Sequence, residues 1–397
     1  MAPRSRSVRE MSSATTGTSS FPRLTMGVEE EFLLVDPETG RVVPAAPTVR
    51  RRIGAPLTGR VQPELARFQI ETNSLIHTDL ENLRRDLAEL RASVGAAAER
   101  AGACLMASGT ALLGNAGLPP LTPSARYERM SRRYGALLHG QGVCGCHVHI
   151  GIADREEAVR VSDHVRLWLP VLQALTANSP IAEGTDTGYA SWRAVLWSRW
   201  PSAGPPPCFS SAEHYDAVVE ALLDSGVIMD RGMIYWYVRP SHHLPTLEFR
   251  TADTCATADE AVALAGLVRA LAATALVDVR KGLPPPEVDQ SLLEAAYWRA
   301  AHDGLEGEGV DLLTGRRAPM WKLVGALLRW VRSALEESGD LLLVTDLLNR
   351  LRRRGSGAAR QRAAFRVRHD VRDVARLLAE QTWETPELLV PDRAGAR

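Results

Sequence analysis

Three short segments place acids and histidines on one side of an otherwise apolar strand, which restricts this chain to few architectures. They are Gly27-Val-Glu-Glu-Glu-Phe32, Gly145-Cys-His-Val-His-Ile-Gly151 and Pro245-Thr-Leu-Glu-Phe-Arg250. Side chains alternate faces along a strand. Glu29 therefore shares a face with Glu31, His147 with His149, and Glu248 with Arg250, while Val28, Phe32, Cys146, Val148, Ile150, Leu247 and Phe249 point the other way. A fourth run, Phe68-Gln-Ile-Glu-Thr-Asn73, repeats the pattern, with Glu71 opposite Phe68 and Ile70. Glutamates gathered on one sheet face repel each other unless cations neutralise them. The pattern predicts a carboxylate-rich metal site on the concave, polar face of a curved antiparallel sheet. Glu30 breaks the pattern, because parity puts it on the apolar face; it needs an arginine partner or a strand edge.

The remaining periodicity is largely helical. Leu80, Leu83, Leu87, Leu90 and Val94 predict a long helix over 79–100, and further helices are expected over 155–178, 257–281, 288–301, 318–336, 340–353 and 358–380. Strands are expected over 24–35, 67–72, 103–110, 233–239 and 245–250, with loops over 114–125 and 183–211. The second loop carries Tyr189, Trp192, Arg193, Trp197, Arg199 and Trp200, and a long loop in a compact domain is more often functional than idle. Helices covering one face of an antiparallel sheet make an α+β fold. Residues 23–384 are read as one catalytic domain between a disordered N-terminal tail (1–22) and a C-terminal tail (385–397). The first 22 residues are rich in Ser, Thr and Arg without an apolar core, which excludes a secretory signal, and Met11 and Met26 offer later starts.

Composition narrows the function classes. The formal net charge of the 397 residues is zero, so no overall field favours nucleic acid or a membrane surface. Lysine occurs only at 281 and 322, so phosphate chemistry near the motifs must use arginine or metal. The five cysteines lack a disulfide-framework spacing, which favours a reduced, cytoplasmic setting. No membrane span is expected. Walker A, nucleophile-elbow and His-Glu-x-x-His motifs are absent.

His147 and His149 have several readings: zinc ligands beside Cys144 and Cys146, satisfied core residues, or a metal or phosphate contact. Parity argues against a shared Cys and His site, because Cys146 faces away from His147. Hard oxygen ligands with one or two imidazoles suit Mg²⁺ or Mn²⁺ better than zinc. Such clusters serve phosphoryl transfer, in which Glu248 would hold metal and Arg250 would steady the transferring group.

Longer stretches carry a family resemblance. Gly27-Val-Glu-Glu-Glu-Phe-Leu-Leu-Val-Asp36, Gly145-Cys-His-Val-His-Ile-Gly151, Gly188-Tyr-Ala-Ser-Trp-Arg193, Trp197-Ser-Arg-Trp-Pro201, and Arg239-Pro followed by Pro245-Thr-Leu-Glu-Phe-Arg-Thr-Ala-Asp253 resemble the bacterial carboxylate–amine ligases, or type 2 glutamate–cysteine ligases. The match runs in order from about residue 24 to 380. The resemblance implies a glutamine synthetase-like catalytic fold and an ATP- and Mg²⁺-dependent ligase, Mn²⁺ being the alternative cation. It assigns Glu29, Glu31, Glu64, Glu71, His147 and Glu248 to metal, and His147 and Arg250 to nucleotide phosphate. Glu248 and Arg250 become the catalytic pair. Arg193 and Arg199 are candidates for gripping a substrate carboxylate. The implied reaction phosphorylates a carboxylate, that of glutamate in the named reaction, and an amine, that of cysteine, displaces the phosphate. The expected partners are ATP and small amino-acid substrates, with no nucleic acid and no membrane; assembly into a homo-oligomer is left open. A metal-dependent amide hydrolase and a ligand-binding member without turnover are the competing readings.

Overall fold

A computed structural model describes residues 21–384; the two terminal tails expected from the sequence lie almost wholly outside them. The main sheet is built from β1 (Met26–Val35), β2 (Val61–Pro63), β3 (Gln69–Asn73), β4 (Cys104–Met106) and β5 (Gly145–Gly151). After the small hairpin β6 (Ile181–Ala182) and β7 (Thr185–Asp186), it is completed by β8 (Val238–Pro240) and β9 (Thr246–Asp253). Its order is β2-β3-β1-β5-β9-β8, antiparallel throughout, with β4 pairing the far end of β1. A second hairpin joins β10 (Glu308–Asp311) to β11 (Arg316–Pro319).

Thirteen α-helices surround the sheet among the described residues: α1 (Ala46–Arg51), α2 (Leu80–Arg100), α3 (Ala125–Tyr134), α4 (Arg155–Val165), α5 (Leu169–Leu175), α6 (Trp192–Trp197), α7 (Ala212–Asp224), α8 (Ala258–Arg280), α9 (Gln290–Asp303), α10 (Met320–Ser338), α11 (Leu341–Arg354), α12 (Gly357–Arg368) and α13 (Val371–Thr382). Val28, Cys146, Val148, Ile150, Leu247 and Phe249 join Leu80, Leu83, Leu87 and the apolar residues of α8 in the largest core. Glu30 lies in this layer, fully buried, and Arg91 of α2 answers it through bonds of 3.1 and 2.5 Å. The same guanidinium donates to the carbonyls of Cys255 and Ala256 and sits over the Phe32 ring. The other face is polar only over the first half of β1. Leu33 and Val35 are buried against Phe68, Met106, Val374 and Leu378, so α13 covers that end. Helix α8 is long and apolar enough to cross a membrane, but 83% of that stretch is buried in the protein, as in a core helix.

Several expected elements differ in extent. The 155–178 helix is divided by a 3₁₀ turn over 166–168, and Pro170 opens the next helix where its missing N–H is harmless. The 358–380 helix is two: His369 turns into the left-handed region at φ 55°, and Asp370 caps α13 through Arg372 N–H. Inside the expected 183–211 loop, Ser191 caps α6 by accepting from Ala194 N–H. The strands expected over 103–110 and 233–239 shrink to β4 and β8. Helix α3 follows the Ser124 cap, and its Tyr127, Met130 and Tyr134 spacing was a legible signal the strand and loop assignment passed over.

Candidate active site

Register brings the polar residues together. On adjacent strands Glu29 faces His147, Glu31 faces Glu71, His149 faces Glu248, and Arg239 faces Glu248. Directly opposed side chains lie close enough to interact, so five strands lay one polar stripe across the sheet. Glu64, just past β2, completes it.

Two groups form along the stripe. Glu29, His149 and Glu248 bring ligand atoms within 4.8 Å of one another, and so do Glu31, Glu64 and Glu71. His147 stands between them, with Nδ1 3.3 Å from Glu29 and Nε2 3.9 Å from Glu31. His149 Nδ1 bonds the Thr246 hydroxyl at 3.0 Å. Its Nε2 lies 3.2 Å from Glu29 but off the hydrogen-bond line, and this buried nitrogen has no bonded partner. Glu248 accepts from Arg239 at 3.0 Å and from Arg250. Gly145 donates its N–H to Glu31 at 2.6 Å, and a Cβ there would fall 2.3 Å from the Arg193 guanidinium.

The two groups differ in charge balance. Burial raises a carboxyl, and nearby cations lower it. At Glu248, burial is outweighed by Arg250, Arg239 and the two histidines, which hold the carboxyl at about 2. At Glu29, burial is likewise outweighed by His147 and His149, which hold it far below the ordinary range. Arg250 keeps its proton against burial through Glu248, Glu31 and Glu29. His147 is pushed down by burial and then by Arg250, whereas Glu29 lifts His149 despite burial. In the second group the compensation, from Arg250 at Glu64 and from Asn73 at Glu71, falls short. Burial, then the charge of Glu31, pushes Glu64 up to about 7, and burial, then Glu64, Glu29 and Glu31, pushes Glu71 well above its ordinary value. A cluster short of positive charge, beside another with an orphaned imidazole nitrogen, has the donor chemistry of a hard divalent cation site.

Two hollows flank the stripe. One, of about 210 Å³, lies over Glu31, Glu64 and Glu71 and is walled by Arg126, Arg193, Arg250, Trp197 and Tyr235. The other, of about 400 Å³, opens beside Glu29 and His149 between Met26, Ile76, Leu244 and Pro245, with Ile76 and Leu244 largely exposed at its rim. Two guanidinium groups lie over the Trp197 ring, that of Arg193 at 5.8 Å and that of Arg250 at 6.0 Å from its centre.

The structure thus gathers Glu29, Glu31, Glu64, Glu71, His147, Glu248, Arg250 and Arg193. Arg199 does not join them; it is exposed and donates to the His139 carbonyl at 2.8 Å. Cys144 and Cys146 are buried outside both groups, Cys146 in the main core. Sequence reasoning passed over three residues. Arg239 stands within a quoted motif but was given no role, because its facing of Glu248 depends on β8–β9 register. Arg126, at the start of α3, forms a two-pronged pair with Asp230 at 2.8 and 3.0 Å. Tyr235 walls the same hollow from the segment before β8.

Comparison with known proteins gives a consistent picture. Residues 25–380 match the model of glutamate-cysteine ligase family 2. A Saccharopolyspora erythraea protein, provisionally named glutamate–cysteine ligase 2-1, is 50% identical over 371 residues, covering 94% of this chain and 98% of its own. A Salinispora arenicola protein, provisionally named glutamate–cysteine ligase 2, is 50% identical over 364 residues, covering 91% and 96%. Among solved structures, the bifunctional glutathione synthetase from Pasteurella multocida superposes with a TM-score of 0.68 at 17% identity, over 91% of this chain and 52% of that one. The Francisella tularensis glutamate–cysteine ligase, solved with AMP, superposes at 0.64 with 13% identity, over 91% and 90%. The fold is therefore the glutamine synthetase-like one expected from the motifs, and the chemistry is that of an ATP-dependent carboxylate–amine ligase. The chain belongs to glutamate–cysteine ligase family 2.

Proposed function

We propose that this ligase joins glutamate, through its γ-carboxylate, to the amine of cysteine, and that residues 23–384 form its catalytic domain. The observation that carries this reading is the position of the two carboxylate groups between an apolar slot and an arginine-walled basin. The slot suits the base of ATP, with Ile76 and Leu244 on its rim. The basin suits the acid substrate, with the Arg193 guanidinium gripping a carboxylate. Residues of the stripe between them would hold the triphosphate.

Glu29, His149 and Glu248 would hold one divalent cation, and Glu31, Glu64 and Glu71 a second, with His147 serving either group or the nucleotide phosphates. Mg²⁺, or Mn²⁺, supplies neutralisation of phosphate charge when bound. The chain's own contribution is positioning. Arg250, fixed by Glu248 and set over the Trp197 ring at 6.0 Å, presents a permanent positive charge to the phosphoryl group in transfer. A substrate carboxylate oxygen attacks the γ-phosphorus, the bond to ADP breaks, and an acyl phosphate results. The amine nitrogen then attacks the acyl carbon, the bond to phosphate breaks, and the nitrogen loses a proton. Holding the reactants in reactive proximity supplies much of the acceleration expected of such a site.

The test is ADP release by the purified chain with ATP and Mg²⁺ across a grid of amino acids as acid and amine. Release that requires both glutamate and cysteine supports the assignment. Release with a different pair keeps the ligase and replaces its substrates. Amide cleavage without ATP would instead favour a hydrolase.

A further inference from the structure

We propose that Asp253, the last residue of β9, is the positioning residue that sets the Arg193 guanidinium for the acid substrate; this rests on the reading of Arg193 given above. Strict alternation from Glu248 puts Asp253 on the helix-covered face. The β5–β9 ladder, however, slips between Cys146 and Val148, so Arg250 and Thr251 together face His147 alone. Such a bulge reverses the side-chain parity of whatever follows it. Ala252 accordingly lies in the core beside Cys146, and Asp253, opposite Gly145, turns to the active-site side.

There the carboxylate is 1% exposed and takes part in a closed set of contacts. Oδ2 accepts from Asn178 N–H at 2.9 Å and from the Ser179 hydroxyl at 2.7 Å, and Oδ1 accepts from the Ser191 hydroxyl at 2.7 Å. Each serine oxygen is also bonded to the first turn of α6: Ser179 accepts from Arg193 N–H at 3.0 Å, and Ser191 from Ala194 N–H at 3.2 Å. Asp253 therefore fixes, through two hydroxyls, the turn that carries Arg193. Gly109 leaves room for it, since a Cβ at that position would stand 2.8 Å from the carboxylate.

The guanidinium it faces is short of partners. Arg193 is 3% exposed; its Nη2 reaches only the Arg250 carbonyl at 3.4 Å, its Nε is unbonded, and Asp253 Oδ1 is 4.0 Å from Nη1. A buried cation so weakly satisfied is unfavourable unless a further anion reaches it. Asp253 holds it from one side at a distance that leaves its remaining donors for a ligand carboxylate in the basin. A closer acid would satisfy the guanidinium, and no acid would leave it unplaced.

Asp253→Asn keeps the shape but removes the charge and presents an N–H₂ to a serine already committed as donor. With glutamate first as acid, cysteine as amine, and ADP release as readout, the variant is expected to raise the KM for the acid at least tenfold. The KM for ATP should stay within twofold and kcat within threefold. Ser191→Ala, which removes one donor to Asp253, should move the same constant in the same direction by less, and it decides the matter if Asp253→Asn fails to fold. A uniform loss across acid, amine, ATP and Mn²⁺ binding would make Asp253 a fold residue only and overturn the proposal, as would unchanged constants. Arg193→Gln separates the two readings. If it raises the acid KM while Asp253→Asn and Ser191→Ala do not, the role of Arg193 stands and that of Asp253 falls; if Arg193→Gln has no effect, both fall.

Discussion

At the scale of single residues, the clearest case is the acid that breaks the alternation. Glu30 would be excluded from an apolar layer on transfer grounds, and it is held there by Arg91, whose five donors also serve two main-chain carbonyls. A buried pair of this kind adds little over an apolar pair of the same volume, but breaking it strands a charge. Glu30→Gln is therefore expected to destabilise the protein by about 3–5 kcal/mol, whereas the double replacement Glu30→Leu with Arg91→Met should recover most of that loss. Urea unfolding of the three proteins measures it; equal stability of Glu30→Gln and the parent would show that the pair contributes nothing. That Glu30 needed either an arginine partner or a strand edge was readable from parity alone, and the structure supplies the arginine. Which arginine met it was not, because Arg91 is 61 residues away and its face of α2 is fixed only by packing.

At the scale of elements, legibility followed periodicity. The long helices α2 and α8 and the strands β1 and β9 stand close to where alternation and three- to four-residue spacing put them. The losses fell where a local device overrode the period: the Pro170 turn, the left-handed His369, the Ser191 cap and the β9 bulge. Single strands also gave the members of the two polar groups better than their partition. His149 falls in a triad with Glu29 and Glu248 while His147 lies between groups, and only cross-strand register decides that. Helix α4 carries a pH-dependent consequence of burial. Its last-turn His164 is 2% exposed with Nε2 unbonded, and burial, then Arg160, pushes the imidazole down from 6.5 to about 4. The unfolded chain thus binds a proton that the folded one resists, so stability is undiminished above 6.5 and falls as pH drops from there toward 4. Between about pH 7.5 and about pH 5 the parent should lose about 2 kcal/mol more than His164→Gln. Urea titrations of both at the two pH values test this, and parallel pH profiles would show that His164 does not titrate as stated.

At the scale of the whole molecule, the site is not a loop graft but a property of the completed sheet. Glu29 and Glu31 come from β1, Glu71 from β3, the histidines from β5, Glu248 from β9 and Arg239 from β8, so neither carboxylate group exists until separate strands are in register, and the Glu29, His149 and Glu248 group joins strands more than 200 residues apart in sequence. An unfolded chain then offers a divalent cation no comparable site, and binding must stabilise the folded state by mass action. At about 100 times its dissociation constant, Mg²⁺ or Mn²⁺ should add about 2.7 kcal/mol for each site it fills. The increment should disappear in the double variant Glu31→Gln with Glu248→Gln, which removes one carboxylate from each group. The variant without metal supplies an informative second comparison. The Glu31 charge contributes to the raised carboxyls of Glu64 and Glu71, so its removal relieves repulsion there, while loss of the Glu248 charge leaves Arg239 and Arg250 less well paired. Each single variant should accordingly shift metal-free stability in an opposite direction, upward for Glu31→Gln and downward for Glu248→Gln. Thermal melting of parent, singles and double, each with and without Mn²⁺, reads all of these at once. A metal increment that survives in the double variant would place the cation elsewhere in the molecule.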